Sequence, residues 1–259
     1  MTIMKLFSAA ALILAVLLFN QGCTGRGNSN KDAQAASDTV SVPDTGYTGI
    51  KQYFSGNTLV KEVTFRNGIR QGEMKSFYTT KQLRQSFWYE NGLREDSAKW
   101  YYVEGPVFRA TPYKRDTIHG IQQQYFKNGK IKARIGFEKG SRTFFFEEYT
   151  PDGKLISGYP DMTVSIKDDY KTSGTYSISL ELSNKATKVK YFRGNFSKGV
   201  YDTAHCTPIK TVNGTGRLIL KKSSSPTSQG VEVLAEILTN YGNNYLLVKK
   251  IGLPYNDLK

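Results

Sequence analysis

The stretch "FRNGIRQGEMKSFY", residues 65–78, sets an aromatic residue before an Asn-Gly pair, places a second glycine four residues later, and closes on Phe-Tyr. Asn-Gly between alternating residues is a strong hairpin signal, because a two-residue type I′ turn needs positive φ at both central positions. One copy would specify one hairpin. This chain carries several, at a period of 24 residues.

Tyr53, Phe77, Tyr101, Tyr125 and Tyr149 form one aromatic ladder at that spacing. Leu59, Leu83, Val107, Ile131 and Leu155 form a second, and Phe65, Tyr89, Tyr113 and Phe137 a third. Gly68, Gly92, Asp116 and Gly140 close one series of turns. Gly105, Gly129 and Gly153 occupy another, in which Lys81 and Asn57 replace glycine and Gly56 is displaced by one position. Between the turns, "LVKEVTF" (59–65), "LRQSFWY" (83–89) and "IKARIGF" (131–137) alternate with strand period, so Leu59, Val63 and Phe65 share a face. Two strands of about seven residues and two turns use up one unit, so each unit is a hairpin. The expectation is an all-β chain in which an antiparallel meander of about ten strands covers residues 48–157.

The pattern in "GIQQQYFKNGKIKARIGFEKG" (120–140) resembles the bacterial variant of the MORN repeat, found in proteins labelled YwqK-like antitoxins. The resemblance covers 48–155. It departs at Asp96, which replaces the glycine between units, at "YKRD" (113–116), and at Pro112 inside a strand, where a bulge or an edge is expected. What it implies is a repeat sheet with a binding role; it names no partner.

The N-terminus reads differently. Met1 to Lys5 is a short basic start, Leu6 to Phe19 an unbroken apolar run, and "NQGC" follows. That is export-signal architecture, and the fourteen-residue run is shorter than the roughly 20 residues a membrane-spanning helix needs. "LLFNQGC" resembles a bacterial lipoprotein signal, which implies cleavage after Gly22 and lipid attachment at Cys23; Asn20 departs from the usual aliphatic residue. Residues 1–22 are therefore read as a signal peptide and 23–47, small and polar, as a flexible tether. With Cys23 acylated, Cys206 stands alone and no internal disulfide can form. "TGRGN" (24–28) has no acidic cluster of the kind that resembles a surface-export signal. The expected location is the bacterial cell envelope, lipid-anchored and facing the periplasm, with the outer membrane one candidate.

Beyond 157, "MTVSIKD", "TYSISLELS", "KVKYF", "GRLILKK", "VEVLAEIL" and "NYLLVKKIGL" alternate between Gly, Asn, Ser and Pro breaks. Residues 158–259 are read as a β-sandwich-like domain of about seven strands, with a short helix as the other reading of "GVEVLAEIL". The formal net charge is +14, and the basic excess is diffuse: 19 basic to 11 acidic residues in 49–155, and 14 to 8 in 156–259. No basic block marks a nucleic-acid arm, whereas anionic lipid or acidic polysaccharide remains a physically suitable partner.

Catalytic chemistry finds little support. His119 and His205 are the only histidines, and His205 and Cys206, as strand neighbours, are expected to point apart. Asp168 and Asp169 read as a solvated turn pair, and no residues repeat with metal-ligand spacing, so neither a catalytic residue, a cofactor nor a metal is assigned. Aromatic residues are the stronger lead. Phe54, Tyr78, Tyr102 and Phe126 also lie 24 apart, one position after the first ladder, so they belong on the other face of the sheet. A single layer cannot cover both of its faces. That row either packs on its neighbours and the stems of nearby lysines, or, as Trp88, Trp100, Tyr102 and Phe126, forms a binding surface. The expected function is a non-enzymatic binding or scaffold lipoprotein with a protein partner; a carbohydrate-binding surface and a peripheral anionic-lipid binder are the alternatives.

Overall fold

A computed structural model describes residues 46–225 and 229–259. The expectations for the signal peptide, Cys23 and most of the tether lie outside the described residues. The repeat region folds into β1 (Gly49–Ser55), β2 (Thr58–Arg66), β3 (Ile69–Phe77), β4 (Leu83–Glu90), β5 (Leu93–Tyr101), β6 (Val107–Lys114), β7 (Thr117–Ile118), β8 (Gly120–Tyr125), β9 (Ile131–Glu138) and β10 (Ser141–Glu148). Each strand pairs antiparallel with its neighbour in sequence order, β7 pairing beside β6, so the region is the expected meander.

The turns follow the chemistry of their residues. Asn67 and Gly68 adopt φ of 52° and 75°, Asn91 and Gly92 49° and 83°, and Lys139 and Gly140 48° and 84°, the double positive φ of type I′. Arg115 and Asp116 hold the same conformation without glycine, at 50° and 65°. In the second turn series Lys81 stands at φ 69° where Gly105 and Gly129 stand at 106° and 80°. Each type I′ turn also docks on the unit before it: the amides of Gly92, Asp116 and Gly140 donate to the carbonyls of Arg70, Arg94 and Ile118. Because Asn tolerates left-handed backbone better than Lys, Lys139→Asn should raise stability by about 0.5 kcal/mol. A melting temperature about 1–2 °C higher in calorimetry would register it, and an unchanged or lower value would contradict it.

The irregular middle is a bulge and not an edge. β6 pairs with β7 at Tyr113↔Ile118 and with β8 at Ala110↔Gln123, leaving Thr111 and Pro112 outside the ladder on that side. Proline lacks the N–H that a full ladder requires. The other side of β6 remains paired, including Ser97↔Pro112, and Asp96 takes φ 57° where Gly72 and Gly120 take 90° and 109°.

The second half contains β11 (Met162–Asp169), a helical turn α1 (Tyr170–Ser173), β12 (Thr175–Leu182), β13 (Val189–Gly194), β14 (Val200–Tyr201), β15 (Thr207–Ile209), β16 (Thr211–Val212), β17 (Thr215–Lys221), β18 (Gly230–Leu238) and β19 (Asn244–Gly252). Segment 230–238 is strand, so the helical alternative for "GVEVLAEIL" is set aside. Two four-stranded sheets, ordered β11-β12-β17-β16 and β15-β13-β18-β19, face each other as a sandwich. Met162, Ile178, Leu180, Leu182 and Leu220 from one sheet and Tyr191, Val233 and Ala235 from the other are at most 1% exposed within one shared cluster.

β14 does not join the sandwich. It pairs with β10 at Arg142↔Tyr201 and Thr143↔Val200 and extends the long sheet by one strand. Behind it Phe144 of β10 packs with Phe196, Tyr201, Leu234 and Leu246 on the outer side of the β13–β18–β19 sheet. The described part of the repeat sheet has a much smaller apolar cluster, with Val63, Met74 and Tyr89 buried and Tyr53, Phe65 and Phe87 against them. Most apolar burial therefore sits in the sandwich, while the repeat sheet is largely one layer that presents side chains on both faces.

Candidate binding surface on the repeat sheet

Directly opposed residues on antiparallel strands project to the same face, so the register identifies which side chains lie side by side. The pairs Lys61↔Ser76, Ser76↔Gln85, Gln85↔Trp100, Trp100↔Arg109, Arg109↔Gln124, Gln124↔Ala133 and Ala133↔Glu148 join into one row across eight strands. The row begins beside β1, the outermost strand, and ends against the sandwich.

Its middle is an arginine laid on a tryptophan. The Arg109 guanidinium carbon lies 4.2 Å from the centroid of the Trp100 ring, and Phe87 meets the same ring edge-on at 5.5 Å. Burial holds the Arg109 guanidinium below the ordinary arginine value, with Tyr113 partly offsetting the shift. Its Nε is buried without a hydrogen-bond partner, and no described carboxylate forms an ion pair with it. Cation–π contact offsets part of the desolvation, but an arginine with no anion beside it is an incomplete recognition group. Gln124 neighbours Arg109 on one side of the stacked pair and Gln85 neighbours Trp100 on the other, and Ser76 Oγ donates to Gln85 Oε1 at 3.2 Å.

The four aromatic candidates separate. Trp100 lies at the centre of the row. Trp88 lies on the opposite face, because its strand neighbour Phe87 is the one that touches Trp100; it is 44% exposed and opposes Glu73 and Glu95. Tyr102 is half-buried, its hydroxyl donates to the Tyr125 carbonyl at 3.1 Å, and its ring packs 5.2 Å from Phe108. Phe126 meets Tyr241 of the sandwich at 5.6 Å. Tyr78 repeats the Tyr102 bond one unit earlier, donating to the Tyr101 carbonyl at 2.6 Å. Packing thus accounts for Tyr78, Tyr102 and Phe126, whereas Phe54, on β1 at the end of the described sheet, is left 57% exposed.

The sequence reading passed over the arginines. Arg70, Arg94 and Arg142 share the 24-residue spacing, with Ile118 in the remaining place. Arg70 lies 4.5 Å from the Tyr89 centroid and Arg94 4.4 Å from that of Tyr113, so the third aromatic ladder carries guanidinium groups. Arg94 also donates from Nε to Asp116 Oδ1 at 2.7 Å. Burial opposes ionisation of that carboxyl, but the Arg94 hydrogen bonds and charge outweigh it and hold its pKa below the usual range. Arg109 falls outside the period, and only pairing with Trp100 marks it.

The histidines have local partners. His119 Nδ1 accepts from the Lys139 amide at 3.5 Å, in the place where Gln71 and Glu95 accept from Asn91 and Arg115. His205 Nδ1 lies 2.6 Å from Asp202 Oδ2, while the Cys206 thiol donates to the Asp202 carbonyl at 3.0 Å, so the two neighbours do not bond each other. Burial pushes the Cys206 thiol up, away from the reactive thiolate. Asp168 accepts from the Tyr255 hydroxyl at 3.0 Å and Asp169 pairs with Lys167 at 2.7 Å. What the surface row offers chemically is recognition, by one stacked guanidinium, flanking amides and an indole. No protein-family model matches the chain, and no curated protein matches it.

Proposed function

We propose that this chain is a non-enzymatic binding or scaffold protein of the bacterial envelope, lipid-anchored through Cys23, that engages a protein partner with the Trp100–Arg109 row of a MORN-variant repeat sheet. The observation that carries the reading is Arg109: desolvated on an indole, beside the amide of Gln124, and without a carboxylate partner among the described residues. Trp and Arg dominate the energetics of protein interfaces, and an acidic side chain presented by the partner would complete the arginine. A hydrogen-bonded sheet holds the row in register before binding, which limits the ordering entropy lost.

The carbohydrate alternative is less well supported at this place. A sugar stacks on an open aromatic face, and at Trp100 the guanidinium lies over the ring. In-cell crosslinking with mass spectrometry tests the proposal. A recurrent partner should be captured by the natural chain, and its recovery should fall about tenfold in Arg109→Ala and Trp100→Ala, equivalent to about 1.4 kcal/mol, but not in Trp88→Ala. Cys23→Ala should move the chain out of the membrane fraction. Equal capture by all variants would overturn the surface assignment, and a Cys23→Ala chain still in the membrane would overturn the anchor.

A further inference from the structure

A cavity opens at the edge of the sandwich. This cleft of about 430 Å3 is lined by Arg193, His205, Lys210 and Arg217, with Ile209 and Leu218 among its apolar walls, and among the described residues no acidic residue lines it. Arg193 follows Val189 and Tyr191 at every second position of β13, and both of those lie in the sandwich core. Strand alternation therefore directs Arg193 toward the space between the sheets. Its register partner on β15 is Thr207. Lys210 sits where the chain passes from β15 in one sheet to β16 in the other, and the Arg217 amide donates to the Lys210 carbonyl at 3.1 Å. The cleft is thus the mouth of the sandwich at this crossover.

A half-buried arginine facing an interior is expensive unless something answers its charge. Inward charges sometimes protect sheet edges, but β13 is flanked by β15 and β18 and is no edge. Among the described residues Arg193, Lys210 and Arg217 form no ion pair, whereas His205 is held by Asp202 at 2.6 Å. Arg193 is thus the cation that faces the cavity, while exposed Lys210 and Arg217, next to inward-facing Ile209 and Leu218, add positive charge at its outer rim. The volume is at the small end of ligand sites, about 300–1,000 Å3. Guanidinium groups bind oxyanions in two-point fashion, and the apolar wall suits a carbon skeleton.

We propose that this cleft binds a phosphate ester carried on a sugar-sized group, independently of the repeat-sheet surface. Two sources share that chemistry: a soluble sugar phosphate and the head group of a phospholipid. Calorimetric titration of the full chain with glucose 6-phosphate, and separately with vesicles of phosphatidylglycerol or phosphatidylcholine, distinguishes them. Saturable binding of glucose 6-phosphate supports a soluble ligand; binding confined to phosphatidylglycerol vesicles supports the head group. In either case Arg193→Gln should weaken binding about tenfold and Arg217→Gln, at the rim, about twofold, while Lys99→Gln and Lys114→Gln, exposed on the repeat sheet, should leave it unchanged. Should Arg193→Gln fail to fold, Arg193→Lys, which keeps the charge and loses the two-point contact, decides, with about a fivefold loss expected. Absence of saturable binding to either probe, or equal weakening by the repeat-sheet controls, would overturn the site.

Discussion

Glu148→Ala is expected to lower the unfolding free energy by about 3 kcal/mol and the melting temperature by on the order of 10 °C. The carboxylate is 1% exposed at the end of β10. Its Oε1 accepts from Thr239 Oγ1 and Asn243 Nδ2, each at 2.8 Å, and its Oε2 accepts from the Tyr159 hydroxyl at 3.2 Å. All three donors are neutral, and two of them belong to the turn between β18 and β19. Glu148 therefore ties the last long strand of the repeat sheet to the sandwich, within one compact unit. Alanine leaves three donors unanswered, at about 1–3 kcal/mol for each that water does not reach. Glu148→Gln keeps one acceptor oxygen but turns an NH2 group toward other donors, so about half of the loss is expected. Urea unfolding measures both, and hydrogen exchange should accelerate first in β10 and the 239–243 turn. A Glu148→Ala loss under about 0.5 kcal/mol would show that apolar packing of Phe144 with Phe196 and Leu246 holds the junction without the carboxylate.

Gly214→Ala is expected to cost about 2–4 kcal/mol. Gly214 has φ +80°, and an added Cβ would lie 2.9 Å from the Ala186 carbonyl oxygen and 3.0 Å from Thr187 Cα, backbone atoms that cannot rotate aside. Its own carbonyl accepts from the Tyr191 hydroxyl at 3.2 Å, and that ring is 1% exposed in the sandwich core. Displacing the turn therefore disturbs the core tyrosine as well. Gly242→Ala is the control: φ is +81°, yet nothing lies within 4 Å of the added carbon, so only the left-handed strain of about 1 kcal/mol is expected. Equal losses at the two positions in calorimetry would refute the steric argument.

Much of the architecture is legible before any coordinates. Type I′ turns at Asn67-Gly68 and Asn91-Gly92 follow from two residue types that tolerate positive φ, and the 24-residue ladders repeat them along the chain. The strands beyond 157 with clear alternation, such as β12 with its buried Tyr176, Ile178, Leu180 and Leu182, were equally readable. Less so were β14, β15 and β16, which are two or three residues long and too short to display a period. β14 owes its strand conformation to β10, a partner more than fifty residues earlier in the chain.

Local turn chemistry and a two-residue hydrophobic period act over neighbouring residues, and they were sufficient for the order and antiparallel sense of the repeat strands. Tertiary structure alone decided what covers each face: Phe126 against Tyr241, Glu148 under the sandwich turn, Trp88 and Trp100 on opposite sides, and Arg109 on an indole without an anion. Those outcomes depend on register across strands and on contacts between residues distant in the chain, which no local period encodes.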